Sequence, residues 1–260
     1  VLDMDGSQHH IYRAYDFSRL PVSLVQTATG RELLVKVSMC ERAVYARVWK
    51  VQVGRVPVLL LDTDILLNDP ADRPITNQLY VSGREMRLCQ EILLGIGGTR
   101  LLQQLGIKPA VWHMNEGHSV FLATERIRRK MESDKCSFDE AIAEIRTTTA
   151  FTTHTPVMAG HEAFDPDLIG KYFKSEESRV GLSSEEFYRL GYAYPDQPNR
   201  QPFSLTALAI RVSSVFNGVS KLHADVTQKT WGHLRTAPQS GGTTVDHVTN
   251  GVHVLTWLGT

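Results

Sequence analysis

Trp112-His113-Met114-Asn115-Glu116-Gly117-His118 decides how this chain is read, because one kind of hydrophobic pattern gives way to another there. Pro109 to Met114 is a short apolar run of strand type, and a helical pattern follows from about Gly117 to Met131. The polar cluster therefore marks the end of a strand and the start of a helix. The same event recurs downstream. A helix over Ser137 to Ile145, with Ser137 as its N-cap, leads into a strand over Thr149 to Thr153. That strand ends in Thr152-Thr153-His154-Thr155-Pro156, with Gly160-His161 just after it. Strands alternating with helices predict a parallel sheet whose chemistry gathers at the carboxyl ends of its strands. Consecutive parallel strands usually lie side by side, so His118 and His154 are expected to converge on one cleft.

Upstream of this unit, Met86, Ile92, Leu93, Ile96, Leu101, Leu102 and Leu105 recur at helical spacing up to Gly106. Gly95-Ile96-Gly97-Gly98-Thr99-Arg100 lies inside that pattern and carries Arg100 where a dinucleotide loop needs its third glycine. Close packing beside a helix is the better reading of these glycines. Further back, Pro21 to Gln26, Glu32 to Val37, Ala43 to Val53 and Val56 to Leu61 read as an antiparallel meander with turns at Thr29-Gly30 and Gly54-Arg55. A long irregular loop from Asp62 to Gly83 follows.

Downstream the pattern weakens through Asp165 to Gln201, with a helix candidate around Ser183 to Leu190. A helix is expected from Phe203 to Phe216, and another from Asp225 to Leu234. Asn217-Gly218-Val219 and Asn250-Gly251-Val252 read as two similar turns, and Ser240 to Thr244 as a flexible loop. The division is a β-rich segment over 1–65 and a Rossmann-like α/β part over 66–260.

The 260 residues carry 28 Lys plus Arg against 28 Asp plus Glu, so no basic excess points to nucleic acid or an anionic membrane. Neither partner is expected. Cys40, Cys89 and Cys136 are odd in number and form no CxxC pair, which fits a reducing, cytoplasmic setting. No apolar run is long enough to cross a membrane as a helix. His113 and His118 stand five apart and HExxH does not occur, so no metal site is expected.

Two readings of the first cluster stay open on local pattern alone. In one, Asn115 caps the helix, Glu116 favours its dipole and His118 is a half-buried hydrogen-bonding residue. In the other, Glu116 and His118 hold a hydroxyl-rich or anionic ligand beside free backbone N–H groups. The Thr-rich segment around His154 is equally a strand running into a proline turn.

In order and spacing these segments resemble the α-glucan (glycogen/maltodextrin) phosphorylases, especially their shorter bacterial and archaeal branch. The resemblance runs through Asp62-Thr63-Asp64, Arg84-Glu85-Met86-Arg87 with Gln90-Glu91, Trp112 to His118, and Thr152 to Val157. It continues through Asn217-Gly218-Val219-Ser220-Lys221-Leu222-His223 and Val248-Thr249-Asn250-Gly251-Val252-His253. What it implies is an α/β fold, the Rossmann-like N-terminal domain of a GT-B-type glycosyltransferase with a β-rich N-terminal segment. The implied reaction moves a terminal glucosyl unit from an α-1,4-glucan to inorganic phosphate, giving glucose 1-phosphate with retention.

By the same resemblance His154 presents its side chain to the sugar's 6-hydroxyl and its carbonyl to the reacting ring. Asn250 bonds that hydroxyl, Val219 walls the pocket, and Glu116 and His118 line it with Thr155 and Asn115. Catalytic work is thus expected of His154, Glu116 and His118, and substrate binding of Asn250, Val219, Thr155 and Asn115. The loop from Asp72 to Gly83 resembles a mobile gate. Pyridoxal phosphate is implied for the whole enzyme, its lysine lying outside these 260 residues. The chain thus reads as an internal piece of an N-terminal half, inactive alone. Leu255, Met158 and Val81-Ser82 depart from the family's pattern. Self-association stays open, as do two other functions: a non-catalytic glucan-binding or regulatory module, or a glycosyltransferase using a nucleotide sugar.

Overall fold

The computed structural model describes residues 4–6, 15–79, 83–157, 161–175, 178–197, 199–235, 245–254 and 258. Val81-Ser82, Met158, Gly160, Leu255 and the expected flexible loop over 240–244 lie outside the described residues. The chain forms two compact units, Val1–Gln90 and Glu91–Thr260.

The first unit is built on β1 (Val22–Leu24), β2 (Leu34–Met39), β3 (Arg42–Val53) and β4 (Val56–Asp62). The twelve-residue β3 organises it. One edge of β3 pairs antiparallel with β2 and then with β1, and the other edge pairs with β4. So β2, β3 and β4 form the expected meander, while β1 returns to β3 instead of extending the series. Period-2 alternation explains the register, since Val35, Val37, Met39, Val44, Ala46 and Val48 fall on one face and are all fully buried. Gly30 and Gly54 adopt left-handed backbone at the turns, as their type allows. Beyond β4 the irregular segment contains a short 3-10 turn, Arg73–Thr76. Asp72, at its start, is buried and takes two hydrogen bonds of 2.7 Å from the Arg42 guanidinium.

Helix α1 (Arg84–Ile92) carries the boundary between the units and runs through a π-turn, Leu93–Gly97, into α2 (Gly98–Gln104). The glycine pattern is explained here. A Cβ on Gly95 would sit 2.7 Å from the backbone nitrogen of Leu122, so only glycine permits that approach. The second unit then alternates strand and helix: β5 (Trp112–Asn115), α3 (Leu122–Asp134), α4 (Phe138–Thr147) and β6 (Thr149–Thr152). Ser137 caps α4 in a capping box with Glu140.

Two elements differ from the sequence reading. Phe203 to Phe216 is not one helix: Phe203–Ser204 is a strand, β8, paired antiparallel with β7 (Ala163–Phe164), and α7 spans only Leu205–Arg211. Val215–Gly218 is β9, so Asn217-Gly218 closes a strand and is not a turn. Its β-branched, aromatic start was hidden by apolar residues that fit helical spacing equally well. Helices α5 (Pro166–Tyr172) and α6 (Ser184–Leu190) occupy the polar stretch, and α8 (Lys221–Trp231) starts four residues before the expected Asp225.

With β10 (Asp246–His247) the large sheet is parallel throughout, in the order β10-β9-β6-β5. Phe151 and Phe216 stack across β6 and β9 with centroids 5.3 Å apart, both buried. Each such ring contributes about 1.5–3 kcal/mol by leaving water. Among the described residues no helix is long and apolar enough to cross a membrane.

Candidate functional site

The parallel register brings Asn115, Thr152 and Asn217 level at the carboxyl edge of β5, β6 and β9. A polar ladder ties the three strands. The Thr152 hydroxyl donates to Asn217 Oδ1 at 2.8 Å and in turn accepts from His113 Nε2 at 2.8 Å. This fixes the ends from which the predicted residues project.

Glu116 is the first residue beyond β5, and its backbone is unusual: φ is 61° and ψ is −177°. That region is almost reserved for glycine and costs another residue about 1–3 kcal/mol. Its surroundings hold it there. The Glu116 N–H donates to the Thr152 carbonyl at 2.9 Å. Its carboxylate accepts from the His154 backbone N–H and from the hydroxyls of Thr153 and Thr155 at 3.3 and 3.2 Å. A carboxylate in a cradle of donors from the end of β6 thus offsets the strain through charge-assisted hydrogen bonds.

His154 is half-buried, and its Nδ1 lies 3.3 Å from the side-chain amide nitrogen of Asn250, ninety-six positions later. An amide nitrogen only donates, so this contact leaves the imidazole proton on Nε2. Asn250 is itself held, its N–H donating to the Val219 carbonyl at 3.1 Å. His154, Glu116, Thr155, Asn250 and Val219 are therefore joined in one network.

His118 follows on the 3-10 turn Gly117–Ser119, with Nδ1 3.3 Å from Glu91 Oε1. Its side chain is 42% exposed whereas that of Glu91 is 1% exposed. Asn115 ends β5, exposed, and among the described residues its side chain takes no part in the network. Nor is it the cap: Glu116 occupies that position, without a side-chain capping bond. The capping reading of Asn115 is thereby corrected, because the strand continues one residue further than a cap at 115 allows.

Sequence pattern assigns no role to Glu91, Thr153 or His161. Glu91 had a legible signal, an acid on the same stripe of α1 as the buried Leu88 and Ile92. Thr153 is fully buried behind Glu116. His161 accepts from the Trp231 indole N–H at 3.3 Å and bonds the Thr206 hydroxyl at 2.9 Å. Burial pulls the His161 pKa below the usual histidine value, and the Glu116 carboxylate partly opposes this. Among the described residues no group of three or more His, Cys, Asp or Glu is placed to hold a metal ion.

Imidazole nitrogens, an amide, hydroxyls and a carboxylate turned back on its own loop make a mixed donor and acceptor set. Such a set suits a neutral polyhydroxylated ligand. Among the described residues no lysine or arginine takes part in it, so it does not fit pyridoxal phosphate, which needs an amine and cations for its phosphate.

No family model matches the chain. The catalytic domain of Starch Synthase IV from Arabidopsis thaliana, solved bound to ADP and acarbose, superposes with a TM-score of 0.58. It is 15% identical, over 91% of this chain and 42% of that one, and shows the fold to be the α/β type of a GT-B glycosyltransferase domain. Sequence relatives are closer. The maltodextrin phosphorylase of Thermococcus litoralis is 45% identical over 257 residues, 99% of this chain and 30% of that protein. The glycogen phosphorylase of Mycobacterium tuberculosis is 39% identical over 98% of this chain and 31% of its own length, and that of Aquifex aeolicus is 32% identical over 98% and 36%. This chain spans about a third of each of these relatives. By sequence, therefore, nearly the whole of this chain is similar to one part of the maltodextrin and glycogen phosphorylases.

Proposed function

We propose that this chain supplies the glucosyl-binding wall of an α-1,4-glucan phosphorylase, which moves a terminal glucosyl unit to inorganic phosphate and releases glucose 1-phosphate. The observation that carries the reading is the meeting of His154, Asn250 and Val219 at one sheet edge with Glu116 behind them. Asn250 and the ring of His154 bind the sugar's 6-hydroxyl, while the His154 carbonyl turns its negative end to the anomeric carbon. A carbonyl dipole there favours the oxocarbenium character that glucosyl transfer develops. Glu116 acts through His154 as a positioning residue, since its carboxylate is committed to the loop that bears it. His118, steered by buried Glu91, lines the pocket with Val219, and Thr155 and Asn115 complete its rim.

Pyridoxal phosphate belongs to the enzyme as a whole in this reading, and this chain's own residues do not hold it. When bound it supplies a phosphate group for proton exchange with the substrate phosphate. The phosphate and glucose 1-phosphate partners are likewise proposals for the enzyme containing this chain, as is its cytoplasmic setting.

The test is glucose 1-phosphate release from maltodextrin by that enzyme. Release is expected to require inorganic phosphate and to fall by about a hundredfold or more in His154→Ala with the fold intact, as expected when a transition-state contact is lost. Near-wild-type rates in the variant remove His154 from the site. Glucan elongation from a nucleotide sugar with no phosphorolysis, or glucan binding with no turnover, overturns the phosphorylase reading.

A further inference from the structure

We infer that His223 is a positioning residue for the sugar-binding pair His154 and Asn250, acting through the peptide of Val219. This rests on the glucosyl-binding reading above. Helix α8 begins after Ser220, whose hydroxyl accepts the His223 N–H at 3.1 Å in the usual manner of an N-cap. In a standard capping box the third helical residue is Glu or Gln, and its side chain reaches back to the N–H of the cap residue. Here that place is His223, and its ring reaches one residue further. Its Nδ1 accepts the N–H of Val219 at 3.1 Å.

Val219 is consequently gripped at both ends of its backbone. Its N–H goes to His223 and its carbonyl accepts from the Asn250 N–H at 3.1 Å. Asn250 then meets His154 Nδ1 at 3.3 Å. A displacement of the Val219 peptide is passed to Asn250 by one hydrogen bond and to His154 by the next.

Two further observations single out the ring. His223 is 8% exposed, and its Nε2 is buried with no hydrogen-bond partner among the described residues, so the Val219 bond is the ring's only polar anchor there. An Nδ1 that accepts leaves the proton on Nε2, and a buried imidazole N–H without a partner is destabilising. Helix capping alone would be served better by Gln, which has no such cost. Gly218 is also shaped to the ring: a Cβ there would lie 2.9 Å from His223 Nδ1 and 2.9 Å from the Ala224 nitrogen.

The experiment compares His223→Gln with His223→Asn in the enzyme containing this chain. Gln restores a standard capping box but carries its acceptor away from Val219, whereas Asn keeps an acceptor at the Nδ1 position. Amide hydrogen exchange at Val219 and Asn250 is expected to quicken about tenfold or more in His223→Gln and to stay near wild type in His223→Asn. kcat for maltodextrin phosphorolysis is expected to fall by about tenfold in Gln, with KM changing by less than about threefold, because His154 meets only the terminal sugar. Unchanged exchange in His223→Gln, or equal losses in the two variants, overturns the inference. Should the wild-type enzyme show no phosphorolysis, the functional reading fails, and exchange at Val219 and Asn250 still decides whether His223 holds them: quickening in His223→Gln alone supports it, and no quickening, or equal quickening in both variants, overturns it.

Discussion

Replacing Glu116 by alanine and by glycine separates two effects that its backbone and side chain superimpose. Either substitution removes the carboxylate that accepts from the His154 N–H and from the Thr153 and Thr155 hydroxyls. A charge-assisted bond of this kind contributes about 1.5–3 kcal/mol, and the fully buried Thr153 hydroxyl loses an acceptor as well, so the loss is roughly 2–4 kcal/mol. Alanine keeps a Cβ at φ 61°, ψ −177° and retains the backbone cost of about 1–3 kcal/mol. Glycine relieves that cost but adds about 0.5–1 kcal/mol of chain entropy. Glycine is therefore expected to be more stable than alanine, by up to about 2.5 kcal/mol, the reverse of the usual order in regular structure. The assay is urea unfolding followed by tryptophan fluorescence, with Glu116→Gln as a milder control that keeps one acceptor oxygen and costs about 1 kcal/mol. An alanine variant as stable as the glycine variant, or more so, refutes the claim that Glu116 is held in a strained conformation by its carboxylate.

Gly95→Ala is expected to destabilise by about 2 kcal/mol or more, because the added methyl meets the Leu122 backbone at 2.7 Å; thermal unfolding measures it. Phe151→Ala, which empties a buried place stacked on Phe216, should cost about 3–5 kcal/mol in denaturant unfolding, and a loss under about 1 kcal/mol would contradict the packing described. The depressed pKa of His161 means that the unfolded chain binds this proton first as pH falls. Stability should accordingly drop as pH falls below the ordinary histidine value of about 6.5, and His161→Gln should flatten that slope in unfolding titrations.

The parallel part of the fold was legible because strand and helix periods alternate cleanly from Pro109 to Thr153, and turn glycines separate the strands of the first unit. Legibility failed where one composition serves two structures. Phe203 to Phe216 satisfies helical spacing throughout, yet Val215 and Phe216 leave the helix to enter the sheet between β6 and β10, a tertiary preference that no local pattern contains. The site was half readable. Motif order pointed to His154, Glu116, Val219 and Asn250, and the structure joins these with Thr155 in one network. What motif order did not convey was direction: that Glu116 turns its carboxylate back on the His154 loop, and that Asn115 stays outside the network. The first follows from the φ of Glu116, which side-chain type does not announce, and the second from the strand's running on through Asn115.

The central claim, that Asn250 and His154 hold the 6-hydroxyl of the terminal glucose, is tested most directly by a substrate lacking that group. The measurement is kcat/KM for glucan synthesis from glucose 1-phosphate and from its 6-deoxy analogue, in the wild-type enzyme and in Asn250→Ala. Hydrogen bonds made to that hydroxyl predict that the wild type prefers glucose 1-phosphate by roughly tenfold to a hundredfold, from about 1–3 kcal/mol, and that the preference shrinks in the variant to the part that His154 alone supplies. An undiminished preference in Asn250→Ala would contradict the account.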